Sequence, residues 1–168
     1  MRLVKFLNAK STEELKETFL RCCGSTRWAE HMANSAPFSS RHALHHMAIQ
    51  IWSLLEKEEY LEAFKAHPQI GASVEELRKK FQKTSDWSSG EQSGIQEASE
   101  ETIQALKIAN AQYLDRFGYI FIVCATGKSA EEMLTIIQTR LLNDPKKELI
   151  IAAKEQEKIT TIRLEKLI

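Results

Sequence analysis

Apolar residues recur along this chain at helical spacing. Leu15, Phe19 and Cys22 fall on one face, Leu44, Met47, Ile51 and Leu54 on another, and Leu149, Ala152, Ala153, Ile159 and Leu167 on a third near the end. Helix starts are marked by four Ser-x-x-Glu boxes, at Ser11/Glu14, Ser73/Glu76, Ser88/Glu91 and Ser129/Glu132. In such a box the Ser hydroxyl accepts from the amide three residues on, and the Glu reaches back to the Ser amide. Asp144 before Pro145 adds a further start, with Asp as cap and Pro in the first helical position. Stops are as legible: Gly24, Pro68 after Ala66, and Gly118 after Phe117. These marks predict helices near 12–23, 26–33, 41–55, 57–66, 74–83, 89–97, 99–117, 129–142 and 145–167. No alternating strand pattern appears. The run Phe121-Ile122-Val123-Cys124-Ala125 has β-type composition but no partner strand, so it reads as a buried, irregular or short helical connector. The expectation is an all-α fold, one compact multi-helix domain over residues 1–168 with about eight or nine helices and no sheet.

Composition narrows the function classes. At 168 residues the chain is long enough to bury roughly 70% of its unfolded surface. Six Gly and three Pro argue against a collagenous or turn-dense β architecture. Lys plus Arg and Asp plus Glu are both 23, and this zero balance removes the global pull that a nucleic-acid or anionic-membrane binder would want. No apolar run approaches the ~20 residues of a membrane span. The opening Met1-Arg2-Leu3-Val4-Lys5-Phe6 lacks signal-peptide character, and the closing Lys166-Leu167-Ile168 is not a Ser-Lys-Leu address. Three Cys, two of them adjacent (Cys22, Cys23), make a poor disulfide framework and fit a reducing compartment. A cytoplasmic protein with no nucleic-acid or membrane partner is expected.

Several residues could carry chemistry, each beside a plainer reading. Pro68 forces His67 out of helical dihedrals, placing a group that titrates near neutrality on a stiff connection; the plain reading is a loop histidine at a helix stop. Glu91 lies in Ser88-Ser89-Gly90-Glu91-Gln92, where it either caps a helix or, with Gln92 as a second polar arm, meets a ligand at a helix start. Arg163 rises from the stripe Ile159, Arg163, Leu167 and must snorkel outward or aim its fork at a carboxylate. His42, His45 and His46 share helix faces, but a metal site needs further ligands that no neighbouring motif supplies, so no metal is assigned. Cys124 sits in an apolar run and reads as an inert buried thiol; Trp28, Trp52 and Asp86-Trp87 read as packing.

Taken in order, the motifs resemble those of the 2-oxo-4-hydroxy-4-carboxy-5-ureidoimidazoline (OHCU) decarboxylase family of the urate-to-allantoin pathway, in its bacterial form. The resemblance spans nearly the whole chain. It runs through Leu7-Asn8, Cys22-Cys23-Gly24-Ser25 with Trp28, Ala66-His67-Pro68-Gln69-Ile70-Gly71 and Ser88-x-x-Glu91-Gln92-x-Gly94. It continues in Asn110-x-x-Tyr113-x-x-Arg116-Phe117-Gly118, the 121–125 run, Arg140-Leu141 and Ile162-Arg163-Leu164. It implies an all-α, cofactor-free, homodimeric lyase that decarboxylates OHCU to (S)-allantoin. His67 would be the catalytic histidine and general acid, with Pro68 beside it, Glu91 orienting the substrate and Arg163 anchoring its negative charge. Ser88, Gln92, Asn110, Phe121, Ile122, Val123, Cys124 and Ala125 would line the substrate pocket, main-chain groups of the last five reading the ring amides. Gln69 stands where many bacterial-type members have Arg, and Ile120 where others have Pro; both bear on substrate detail rather than on the reaction. The competing expectations are a non-catalytic helical interaction module, in which His67, Glu91 and Arg163 face different surfaces, and a metal-dependent hydrolase built on His42, His45 and His46.

Overall fold

The structure is a computed structural model that describes residues 2–67, 69, 73–82 and 99–168. Among them lie nine helices and no strand: α1 (Arg2–Asn8), α2 (Thr12–Cys23), α3 (Thr26–Asn34), α4 (Arg41–Ser53), α5 (Lys57–Lys65), α6 (Val74–Gln82), α7 (Glu100–Phe117), α8 (Ala130–Arg140) and α9 (Pro145–Glu165). The all-α expectation holds, and eight of the helices sit where the start and stop signals put them. The helix expected near 89–97 lies outside the described residues. α1 is an addition: it is too short for periodicity to register, yet Leu3 and Leu7, one turn apart, are both buried.

Local chemistry fixes the helix ends. The boxes at Ser11/Glu14 and Ser129/Glu132 close in both directions, and Ser73 accepts from the Glu76 amide at 3.1 Å. Asp144 Oδ1 accepts from the amides of Lys146 and Lys147 at 3.0 and 3.1 Å, starting α9 behind Pro145. Gly24 and Gly118 end α2 and α7 in the left-handed region, at φ of 87° and 77°. The 121–125 run is irregular, with Phe121, Ile122, Val123 and Cys124 buried.

Contacts divide the chain into two compact units. The first comprises Met1–His67, Ile122–Cys124 and Leu149–Ile168. Its core is built on Leu3, Leu15, Phe19, Trp28, Met32 and Leu44, with Ala153 and Leu164 contributed by α9. Phe19 meets the rings of Trp28 and Phe38 edge to face, both at 5.9 Å. The indoles of Trp28 and Trp52 donate to the carbonyls of Ala48 and Ala153 at 3.0 and 2.9 Å, so both bury their rings without stranding an N–H. Trp52 also corrects the face expected for α4. The buried line is Leu44, Ala48 and Trp52, because the indole takes the core position; the helix ends at Ser53, and Leu54 is 81% exposed.

The second unit comprises Pro68–Phe121 and Ala125–Glu148. Its described part is organised by Glu148, which is fully buried. The Glu148 carboxylate accepts from Arg140 Nε at 2.7 Å, from the Tyr113 hydroxyl at 2.5 Å and from Asn143 Nδ2 at 2.8 Å. Arg140 lies over the Phe121 ring, 4.7 Å from its centroid. Every buried charge here has several partners, which is the condition for such a network to be tolerated. Glu148→Gln leaves Arg140 buried without its counter-charge and should cost about 3–5 kcal/mol, read as a lowered midpoint in urea unfolding.

Gly24 carries a second demand besides its dihedrals. A Cβ there would sit 2.5 Å from the Ala66 Cβ and 3.3 Å from the Ala63 carbonyl, so the end of α5 packs directly on the glycine. At Gly118 a Cβ would meet nothing within 4 Å. Gly118→Ala should therefore cost only the left-handed penalty of about 1–2 kcal/mol. Gly24→Ala should cost at least twice that, since the α5 end must also move. Differential scanning calorimetry checks the ranking, and equal losses would contradict it.

Candidate active site

The last carbonyls of any α-helix lack intrahelical partners and carry the negative end of its dipole. At the end of α2 two side chains of α9 take them up. Arg163 Nη1 donates to the Cys22 carbonyl at 3.2 Å, and Gln156 Nε2 to the Cys23 carbonyl at 3.3 Å. Both groups then reach the same imidazole. His67 follows α5, its amide donating to the Phe64 carbonyl at 3.1 Å, and its ring is half-buried. Arg163 Nη2 lies 3.3 Å from His67 Nδ1, and Gln156 Oε1 lies 2.6 Å from His67 Nε2. Gly24 makes this possible by letting the α5 end approach α2 without a side chain between.

Charge states follow from these neighbours. Burial first, then the Arg163 guanidinium, hold His67 below its ordinary value of 6.5, while the Gln156 contact opposes them. The imidazole is thus neutral near neutral pH. Arg163 can only donate, so the Nδ1 that faces it carries the lone pair. Burial pushes the neighbouring thiols of Cys22 and Cys23 up to about 11 and about 12, which keeps them protonated and unreactive. Arg163 is half-buried and uses two of its five N–H donors in the contacts described, neither of them to a carboxylate. Among the described residues no acid pairs with it.

Of the residues singled out in the sequence, His67 and Arg163 are brought together. Pro68, Ser88, Glu91 and Gln92 lie outside the described residues. Ile122, Val123 and Cys124 belong to the same unit as His67 and are buried. The Cys124 amide donates to a Glu155 carboxylate oxygen at 2.7 Å, so that main-chain group is engaged by α9. Phe121, Ala125 and Asn110 belong to the second unit. Asn110 is buried and its Nδ2 donates to the Leu106 carbonyl one turn back at 2.9 Å. The histidines of α4 separate in role: His45 pairs with Glu165, and His42 and His46 stack at 6.2 Å. Among the described residues, no group of three or more His, Cys, Asp or Glu is arranged to hold a metal ion. Likewise no helix there is long and apolar enough to cross a membrane.

Gln156 escaped the sequence reading. It is fully buried in the line Glu148, Ala152, Gln156, Thr160, Leu164, which repeats every four residues down α9. Its signal was available as a polar residue in register with apolar ones.

Comparison with known proteins places this geometry in context. Residues 8–165 match the family model described as OHCU decarboxylase. The chain is 39% identical over 148 residues to the uric acid degradation bifunctional protein TTL of Arabidopsis thaliana, covering 87% of this chain and 45% of that protein. It is 28% identical over 162 residues to a 2-oxo-4-hydroxy-4-carboxy-5-ureidoimidazoline decarboxylase of Halalkalicoccus jeotgali, covering 90% of this chain and 86% of the other. It superposes on a crystal structure of OHCU decarboxylase in the presence of (S)-allantoin with a TM-score of 0.72 and 38% identity, over 90% of this chain and 96% of that one. The chain spans from about a third to under half of the length of the bifunctional relatives it matches. With a family model matched along almost its entire length and an all-α fold shared with a solved member, the chain belongs to the OHCU decarboxylase family.

Proposed function

We propose that this protein decarboxylates 2-oxo-4-hydroxy-4-carboxy-5-ureidoimidazoline to (S)-allantoin, with protein side chains as the only acids, bases and charge donors. The observation that carries the reading is the pairing of a neutral, half-buried His67 with an Arg163 that has no acid partner among the described residues. The substrate carries a carboxylate and a hydroxyl on one ring carbon, next to the carbon that bears the ureido group. Arg163 anchors the carboxylate as a charge-assisted donor. As CO2 leaves, the electron pair of the broken bond spreads into the adjoining C=N, and the anion stays within reach of the guanidinium. The hydroxyl then gives up its proton and becomes a carbonyl, one proton arrives on the ureido-bearing carbon and sets its configuration, and a second, drawn from solvent, neutralises the ring nitrogen that received the electron pair. A resting imidazole that is neutral has no proton to spare at Nδ1. His67 therefore collects the hydroxyl proton as a base before returning one as the general acid. Glu91 is assigned to orient the hydroxyl or ureido group, with Pro68, Ser88, Gln92, Asn110 and the 121–125 run as substrate-lining residues. Assembly as a homodimer in the cytoplasm belongs to the same proposal; sedimentation at twice the monomer mass tests the assembly.

The test is to generate OHCU in situ from urate with urate oxidase and hydroxyisourate hydrolase, and to follow optically active allantoin by circular dichroism. The protein should accelerate its appearance, with or without a chelator. His67→Asn should slow it by at least 10²-fold while the melting temperature stays within a few degrees. Glu91→Ala should do the same; full activity with earlier unfolding would reduce Glu91 to a helix cap.

The pH dependence has a definite sign. The working form of His67 is neutral, and its folded pKa lies below 6.5, so kcat/KM should rise with pH through a limb below that value and then level off. A rate that falls as pH rises through the same region would mean that the imidazolium is the working form.

A further inference from the structure

We propose that Gln156 is a positioning residue: it holds the His67 proton on Nε2 and so makes Nδ1, on the Arg163 side, the nitrogen that trades a proton with the substrate. The catalytic half of this statement rests on the decarboxylase reading; the proton's location does not.

The inference follows from what the amide of Gln156 can and cannot do. A side-chain amide has a donor end and an acceptor end, and its orientation is set by its neighbours. Gln156 Nε2 lies 3.3 Å from the Cys23 carbonyl oxygen, which can only accept, and 3.1 Å from Thr160 Oγ1. That fixes the donor end toward α2 and Thr160. The acceptor end, Oε1, is left facing His67 Nε2 at 2.6 Å, and an acceptor facing a ring nitrogen requires a proton on that nitrogen. Gln156 is fully buried and Thr160 is 5% exposed, so water does not compete for these bonds. The helix-end carbonyl of Cys23 thereby decides where the His67 proton sits. From the other side Arg163 Nη2, at 3.3 Å, offers Nδ1 a donor, which agrees with a lone pair there. Both contacts point to the same tautomer, and the Gln156 contact, at 2.6 Å against 3.3 Å, is the shorter of the two.

The charged and titratable groups around the ring can be named element by element. α9 presents Arg163. The end of α2 presents the Cys22 and Cys23 thiols, which burial keeps protonated. The last turns of α5 hold Glu62, bonded to Thr26, and Lys65, both exposed. Gln156 is thus the neutral partner that favours the protonated ring against burial and Arg163.

The experiment is long-range 1H–15N correlation of the histidine rings in the full-length protein near neutral pH, with His67 assigned by its absence in His67→Asn. The expected pattern is a protonated Nε2 and an unprotonated Nδ1. A proton on Nδ1 in the wild-type protein overturns the proposal outright, without any variant. In Gln156→Met, which keeps the length but removes the acceptor, the Nδ1–H form should appear and the His67 midpoint should move to lower pH. The acid limb of kcat/KM should move with it, and kcat should drop by about 10²-fold with KM nearly unchanged. An unaltered tautomer and midpoint in folded Gln156→Met would show that Gln156 does not position the proton. An altered tautomer with unaltered kcat would show that Nδ1 is not the exchanging nitrogen. If the wild-type protein forms no allantoin, the decarboxylase reading fails while the ring spectra still decide where the proton is held.

Discussion

The end of α2 is the constraint on which the site depends. Its final carbonyls must find donors, and Arg163 and Gln156 supply them from α9. The same two side chains are thereby pinned on the two nitrogens of one imidazole. Gly24 completes the arrangement, since any larger residue would keep the end of α5, and with it His67, away from α2. Helix termination and site assembly are one problem here. The guanidinium also lies at the negative end of the α2 dipole, which favours a cation in that position before any ligand arrives.

Two buried charge systems in this chain show opposite designs. Around Glu148 the carboxylate is met by Arg140, Tyr113 and Asn143, and burial with that carboxylate beside it raises the Tyr113 hydroxyl far above its ordinary value. Nothing is left over, and the network serves to join side chains of α7, α8 and the start of α9. Around His67 the accounting is incomplete. A guanidinium faces a neutral ring and a carbonyl, and no carboxylate among the described residues balances it. An unbalanced, half-buried cation of this kind destabilises the protein unless something anionic joins it, and that cost is the usual mark of a binding group.

Much of this was readable in the sequence, and the limits are physical. Capping boxes and helix-ending glycines are local chemistry, so Ser11/Glu14, Ser129/Glu132, Gly24 and Gly118 carried their meaning in a few residues. His67 and Arg163 stood out because one precedes a proline and the other interrupts an apolar stripe. Leu54 was misplaced because hydropathy alone does not say that Trp52 takes the core position or that α4 stops at Ser53. Gln156 was missed for a related reason: burial of an amide depends on a carbonyl supplied by a segment 133 residues away, and no pattern within α9 announces that partner. The family resemblance pointed to His67 and Arg163, which the fold brings together, but not to Gln156, which bonds the same ring.

Why a decarboxylase would keep its histidine neutral can be argued from where charge resides during the reaction. Before CO2 leaves, the negative charge sits on the carboxylate; afterwards it is spread through the ring. An imidazolium held beside the carboxylate would strengthen binding of the ground state and transition state together, lowering KM without lowering the barrier. A neutral ring that accepts the hydroxyl proton only as the carbonyl forms contributes where the charge has moved. Burial and Arg163 favour that neutral state, and the Gln156 contact opposes them. On the decarboxylase reading, burial and the guanidinium thus work against the one form of the ring, the cation, that would grip the substrate before the reaction begins.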